Sequence, residues 1–90
     1  MITSQPEDYI GAVGDTASFT VGANGEGLKY QWQYSNDDGA NWKNSSQSGC
    51  KTATVSVPIT AVRNGQQYRC VVTDERGNSV TSEAGTLIVQ

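Results

Sequence analysis

The sequence predicts an all-β protein: a sandwich of two sheets built from seven or eight short antiparallel strands. Three observations carry that expectation. Apolar and polar residues alternate with period two in short runs along most of the chain, the pattern of a strand with one buried face. Clusters of Gly, Asn, Asp and Ser separate those runs, in ANGEG, SNDDGAN, NSSQSG, AVRNGQ and DERGN, and these residue types favour turns. The composition is 36% apolar and only 17% charged, with the remainder rich in Ser, Thr, Asn, Gln and Gly. That mixture suits a hydroxylated pleated surface better than a helix.

The elements follow in order. Strands are expected over about residues 2–5 and 9–13, on either side of Pro6, whose missing N–H is tolerated at a strand end. In the run 16–22, Ala17, Phe19 and Val21 face one way and Thr16, Ser18 and Thr20 the other. In 28–35, Leu28, Tyr30, Trp32 and Tyr34 oppose Lys29, Gln31 and Gln33. A short strand over 41–44 follows the DDG turn, and the two strands form a hairpin around 36–41. In 52–57, Ala53, Val55 and Val57 alternate with Thr52, Thr54 and Ser56. The segment ITAVRNG has room for a single helical or 3₁₀ turn at most. In 67–73, Tyr68, Cys70 and Val72 alternate with Arg69, Val71 and Thr73, and RGN turns the chain around 74–79 into a last strand over 80–89. There Leu87 and Val89 point inward and Gly85 marks a bulge or bend. Seven or eight strands at this spacing make one domain, residues 1–90, near the lower size limit for a single core. Met1 ahead of ITSQPED reads as a start residue on a piece excised from a longer protein, and not as a signal peptide.

Several function classes are disfavoured at once. The net charge is −3 and the six Lys and Arg are scattered, so no basic stripe invites nucleic acid. No apolar run approaches the roughly 20 residues that cross a bilayer, so no membrane insertion is expected. Histidine is absent, and with it the commonest general base and zinc ligand. The acidic pairs Asp37–Asp38 and Asp74–Glu75 sit in hairpin loops, where carboxylates bond turn backbone. We therefore expect no catalytic residues and no enzyme. Asn36, Asp37 and Asp38 offer oxygen ligands without a D-x-D-x-DG calcium loop, so no metal and no cofactor is expected either. The candidate ligand contacts are Trp42, Asn41 and Asn44, in GANWKNSS. An indole flanked by amides can stack a sugar or a protein group; the alternative is that Trp42 covers the edge of the sandwich, on Tyr34 or Tyr30. Asn44–Ser45–Ser46 fits a glycosylation acceptor and reads more simply as a polar loop.

The spacing also resembles a family. Tyr68 stands two residues before Cys70, Trp32 lies eleven after Val21 and 38 before Cys70, Val57 precedes Cys70 by thirteen, and Gly14–Asp15 leads into the run 16–22. Together these resemble an immunoglobulin-like domain. More narrowly, Gln5–Pro6, Ala17–Ala23, Leu28–Gln33, Asp38–Trp42, Lys51–Val57, Asn64–Thr73 and Gly77–Ser82 are similar to the bacterial immunoglobulin-like repeats of large Gram-positive surface proteins. The resemblance implies a two-sheet Greek-key sandwich with a core of Phe19, Val21, Tyr30, Trp32, Val55, Val57, Tyr68, Cys70, Val72 and Leu87. It implies that the Tyr68 hydroxyl bonds back to upstream backbone. Val21 holds the position of the usual strand-B cysteine, so the inter-sheet disulfide is missing and Cys70 becomes a small buried hydrophobe. Cys50, in SQSGCKT, is out of phase with Val55 and Val57 and is expected to be free and fairly exposed. Asn64 stands where many such domains carry an aspartate, which argues against their buried ion pair.

The implied function is that of a non-catalytic, monomeric module of an extracellular, cell-surface or secreted bacterial protein. It would act as a spacer between neighbouring domains of the same chain. The alternative is an adhesin, or a module binding carbohydrate or protein, that uses Trp42 and loops 36–46 and 74–79 on a host or cell-wall glycan or protein. A second alternative is an accessory domain of a surface glycosidase.

Overall fold

The computed structural model describes residues 2–90. Ten short strands run in the order β1 (Ile2–Ser4), β2 (Tyr9–Gly11), β3 (Thr16–Thr20), β4 (Gly22–Ala23), β5 (Lys29–Ser35), β6 (Lys43–Asn44), β7 (Thr54–Pro58), β8 (Gln67–Thr73), β9 (Ser79–Thr81) and β10 (Gly85–Val89), with one 3₁₀ turn at Ala61–Arg63. One sheet has the order β2-β10-β8-β5-β6, with β9 also paired to β8. The facing layer consists of the pairs β3–β7 and β1–β4, set end to end along the run 16–23.

The alternation decides which residues meet between the layers. In β3 Ala17 and Phe19 are buried, in β7 Val55 and Val57, in β8 Tyr68, Cys70 and Val72, while their neighbours face out or lie half-buried. Trp32, Val21 and Leu87 complete the centre, joined by Ile59, which the sequence pattern did not single out. Tyr30 is a correction: it is half-buried and packs against the core from its rim, because it lies near the end of β5, opposite Val72. Phe19 and Tyr68 stack at 5.0 Å between centroids, and Tyr34 tilts against Tyr68 at 6.4 Å.

Five expectations about the strands need correcting. The sheets are not wholly antiparallel: β2 pairs with β10 in parallel, Tyr9 beside Leu87 and Gly11 beside Val89. The reason is a change of sheet at buried Pro6. β1 pairs with β4 in one layer, and the chain then crosses to the edge of the other while still running the same way. The strand expected over 80–89 is two strands. Ser82 interrupts it by accepting a hydrogen bond from the Cys70 amide at 2.8 Å and donating one to the Glu83 carbonyl at 2.8 Å. The run 16–22 breaks at Val21, whose amide reaches Ala53 instead at 2.9 Å. The strand expected over 41–44 shrinks to Lys43–Asn44, because Asn41 is held by Asp37. Gly85 is neither bulge nor bend but a close approach. It is buried, and a Cβ there would meet the Glu7 carbonyl at 2.7 Å and the Phe19 ring at 3.0 Å.

The absence of a disulfide has a geometric basis. Cys70 sits opposite Trp32 on the β8 side of β5, whereas the Trp32 amide donates to the Cys50 carbonyl, at 2.7 Å, on the other side. The two cysteines flank β5 from opposite sides, and both are free. Cys50 is half-buried against the core, less exposed than its loop composition suggested. Residues 45–52 wrap the open flank of β5: the Ser45 amide donates to the Trp32 carbonyl at 2.8 Å, and the indole N–H donates to the Thr52 carbonyl at 2.7 Å. The tryptophan is thereby buried with its one polar atom satisfied.

The strand registers also place the chain ends. Ile2 pairs with Ala23, beside the pole where the Glu75 amide reaches the Glu26 carbonyl. The Gln90 amide bonds to the Gly11 carbonyl, at the opposite pole, where the 12–15 turn and the 3₁₀ turn lie. The molecule measures 40 × 24 × 20 Å.

Candidate functional site

The loop between β5 and β6 carries the residues singled out for ligand contact, and Asp37 organises it. Its carboxylate accepts from the Ser35 hydroxyl at 2.6 Å, the Asn41 amide N–H at 2.9 Å and Asn41 Nδ2 at 2.7 Å. These bonds, Ser35 first and Asn41 next, hold the Asp37 carboxyl down at about 2. Asp38 adopts a left-handed backbone at φ 56° and the chain reverses through Gly39. The turn delivers Trp42 beside the outer face of β8, half-buried.

There the indole meets Arg69, whose guanidinium carbon lies 4.2 Å above the ring centroid. Arg69 is itself steered by Gln33, whose Oε1 accepts from Arg69 Nε at 2.9 Å. Gln33 Nε2 in turn donates to Asn44 Oδ1 at 3.1 Å. The structure thus brings Asn41, Trp42 and Asn44 onto one loop. It also engages each of them within the chain: Asn41 by Asp37, Asn44 by Gln33, and one face of Trp42 by Arg69. The expected partners of Trp42, Tyr34 and Tyr30, are replaced by this cation–π contact. Arg69 could not be assigned from sequence, because its partner lies 27 positions away and belongs to a loop of no fixed register.

The second acidic loop is built like the first. Asp74 Oδ1 accepts from the amides of Arg76 at 2.9 Å and Asn78 at 3.0 Å, and Oδ2 from Asn78 Nδ2 at 3.3 Å. Desolvation is the largest single influence and works to raise its carboxyl, but the bonds from Asn78, Arg76 and Gly77 together outweigh it and hold the group below the ordinary carboxylate value. Both aspartates therefore act as turn-forming acceptors, poor proton donors at neutral pH. Among the described residues no group of three or more Cys, Asp and Glu gathers at metal-binding distance.

The tyrosine corner departs from the expected form. The Tyr68 hydroxyl donates to Gln66 Oε1, a side chain and not upstream backbone. Gln66 is itself buried, and its Nε2 donates to Asn36 Oδ1 at 2.8 Å. Asn64 does not stand in for an ion pair; its Oδ1 accepts the Val89 amide at 3.0 Å and ties the last strand to the turn. Beside this corner lies a polar cleft of about 240 Å³, lined by Tyr34, Asn36, Ser46, Gln47, Arg63 and Tyr68 among others. Nothing in the sequence pattern marked it, since its walls come from three separate segments.

Paired sheets around a buried indole, with the parallel β2–β10 edge, define an immunoglobulin-like β-sandwich, and solved structures agree. The chain is similar to Duf (Kirre) D1 over 100% of its own length and 95% of that chain, with 14% identity and a TM-score of 0.68. It is similar to a stretch of Sidekick-1 immunoglobulin domains 1–5, with 18% identity and a TM-score of 0.69, covering 99% of this chain and 19% of that one. It also matches Drosophila OTK extracellular domains 3–5 at 22% identity and a TM-score of 0.57, covering 98% of this chain and 34% of that one. In the last two, the chain corresponds to one part of a several-domain array. No curated protein sequence matches it. Residues 3–90 match the family model described as Domain of unknown function (DUF8696), and the chain belongs to that family.

Proposed function

We propose that this domain is a non-catalytic structural spacer, one unit in a string of domains of an extracellular, cell-surface or secreted protein. The observation that carries the reading is the placement of the ends: Ile2 lies at one pole of a 40 Å long axis and Gln90 at the other. A module entered at one pole and left at the other extends a chain with each copy, whereas adjacent ends would fold it back. The engaged carboxylates of Asp37 and Asp74 and the absence of histidine support a role without catalysis. The array context of the Sidekick-1 and OTK structures supports neighbouring domains as the partners. The motif resemblance to repeats of Gram-positive surface proteins supports a bacterial parent. Arg69 lying on Trp42 favours a structural role for that indole over a sugar platform.

A tandem pair of the domain tests this by small-angle scattering. The spacer predicts a maximum dimension close to twice the 40 Å axis. A compact particle with the two copies folded side by side would overturn it.

A further inference from the structure

We propose that the cleft beside the tyrosine corner is a binding site for an acidic sugar, with Arg63 receiving the carboxylate and the amides and hydroxyls around it receiving the ring hydroxyls. The cleft lies on the open flank of the sandwich, between the end of β5, the 45–47 segment and the 3₁₀ turn. Its lining includes Asn36, at the start of the loop that carries Trp42, but not Trp42 itself.

Four observations lead there. First, no Asp or Glu lines the cleft, so the Arg63 charge is not neutralised within it. Arg63 Nη1 donates to the Pro58 carbonyl at 2.9 Å, which anchors the half-buried guanidinium and leaves the other edge of its planar fork for a ligand. That fork matches a carboxylate in geometry as well as charge. Second, the floor is rigid: Tyr68 is 1% exposed and Gln66 8% exposed, and they are bonded to one another and on to Asn36. Because Asn36 Oδ1 is occupied by Gln66, its Nδ2 is the atom left to act, as a donor. Third, the remaining walls are hydroxyl and amide, from Ser46 and Gln47, with Tyr34 as an aromatic neighbour. This is the chemistry of saccharide recognition and not of an apolar ligand. Fourth, at about 240 Å³ the cleft is smaller than a drug-sized pocket and suits one or two sugar rings. The protein's net charge of −3 opposes polyanions such as nucleic acid, while a single carboxylate meets a local cation. Burial is also the larger influence on Tyr68, but the Arg63 charge pulls its hydroxyl the other way, consistent with Arg63 facing that floor.

Titration of ¹⁵N-labelled domain with methyl glucuronide, followed by amide and Arg Nε–H shifts, tests the site. Saturable shifts at Ser46, Gln47 and Arg63, with millimolar affinity, are expected, together with severalfold weaker binding of acetate and none of methyl glucoside. Arg63→Gln abolishes the response. Because Arg63 also holds the Pro58 carbonyl, Gln47→Ala serves as the second variant and weakens binding severalfold at an unchanged melting temperature. The proposal is overturned by an unsaturable response, by acetate binding as tightly as the glucuronide, by a Glu-rich peptide binding more tightly, or by shifts centred on Trp42. None of these outcomes bears on the tandem-pair scattering, so the site and the spacer stand or fall separately.

Discussion

Trp32 is the residue on which the packing turns. Its ring fills the space between the layers, its indole N–H is satisfied by Thr52, and its backbone binds both Cys50 and Ser45. Trp32→Ala removes the largest buried side chain and leaves a cavity, and a loss of about 3–5 kcal/mol is expected. Urea unfolding monitored by circular dichroism measures it. Burial also moves two titrations: it pushes the Cys70 thiol up to about 11 and the Tyr68 hydroxyl up to about 12. For each, the folded chain keeps its proton to higher pH than the unfolded chain does. Their stabilising contribution is therefore complete below the ordinary values near 9 and 10, and disappears as pH climbs through 11 and 12. A melting temperature that falls over that alkaline window is the expected result, with Tyr68→Phe flattening its upper part. Asp37 acts in the other direction. Its carboxyl sits at about 2, below the ordinary 3.8, so its contribution is present above pH 4 and is lost as pH falls towards 2. Asp37→Asn should remove that acid dependence. The thiols were legible individually but not as a pair: Val21 in place of a cysteine announced the missing bridge, while the half-burial of Cys50 depends on the 45–52 segment wrapping β5. A thiol-specific reagent should label Cys50 ahead of Cys70 in the native protein, and both in urea.

Among the elements, β3, β5, β7 and β8 were readable because each has five or seven residues in which apolar side chains recur at every second position. The elements misjudged are those whose hydrogen bonds leave the ladder. Ser82 substitutes a side-chain oxygen for a backbone partner and divides the last strand, and Asp37 gathers Asn41 into the turn and shortens β6. Both events are side-chain competition with the sheet, which alternation does not encode. Gly85 shows how tightly the layers close at one of these junctions. Gly85→Ala forces a methyl group against the Glu7 carbonyl and the Phe19 ring, and a loss of about 1–3 kcal/mol is expected from overpacking. Thermal unfolding followed at 222 nm checks it; an unchanged midpoint would mean that the layers can part more freely than their packing implies. The same dependence on long-range partners explains the candidate sites. Trp42 was conspicuous as an isolated aromatic in a polar loop, but Arg69, which lies over it, became identifiable only once β8 was laid beside β5.

At the scale of the whole molecule, the path from pole to pole follows from strand directions, and it is the feature with most bearing on function. Alternation and turn chemistry determined that the chain is β throughout, which face of each main strand is apolar, and that Trp32, Phe19, Tyr68 and the valines share one core. Those properties are local: a period of two places side chains on one face whatever the strand pairs with. Tertiary structure alone decided that β2 joins β10 in parallel, that Cys50 and Cys70 lie on opposite flanks of β5, that Arg69 covers Trp42, and that Arg63 faces a cleft with no acid in it. Each of these joins segments distant in sequence, and only the folding of the two layers against one another brings such segments into contact.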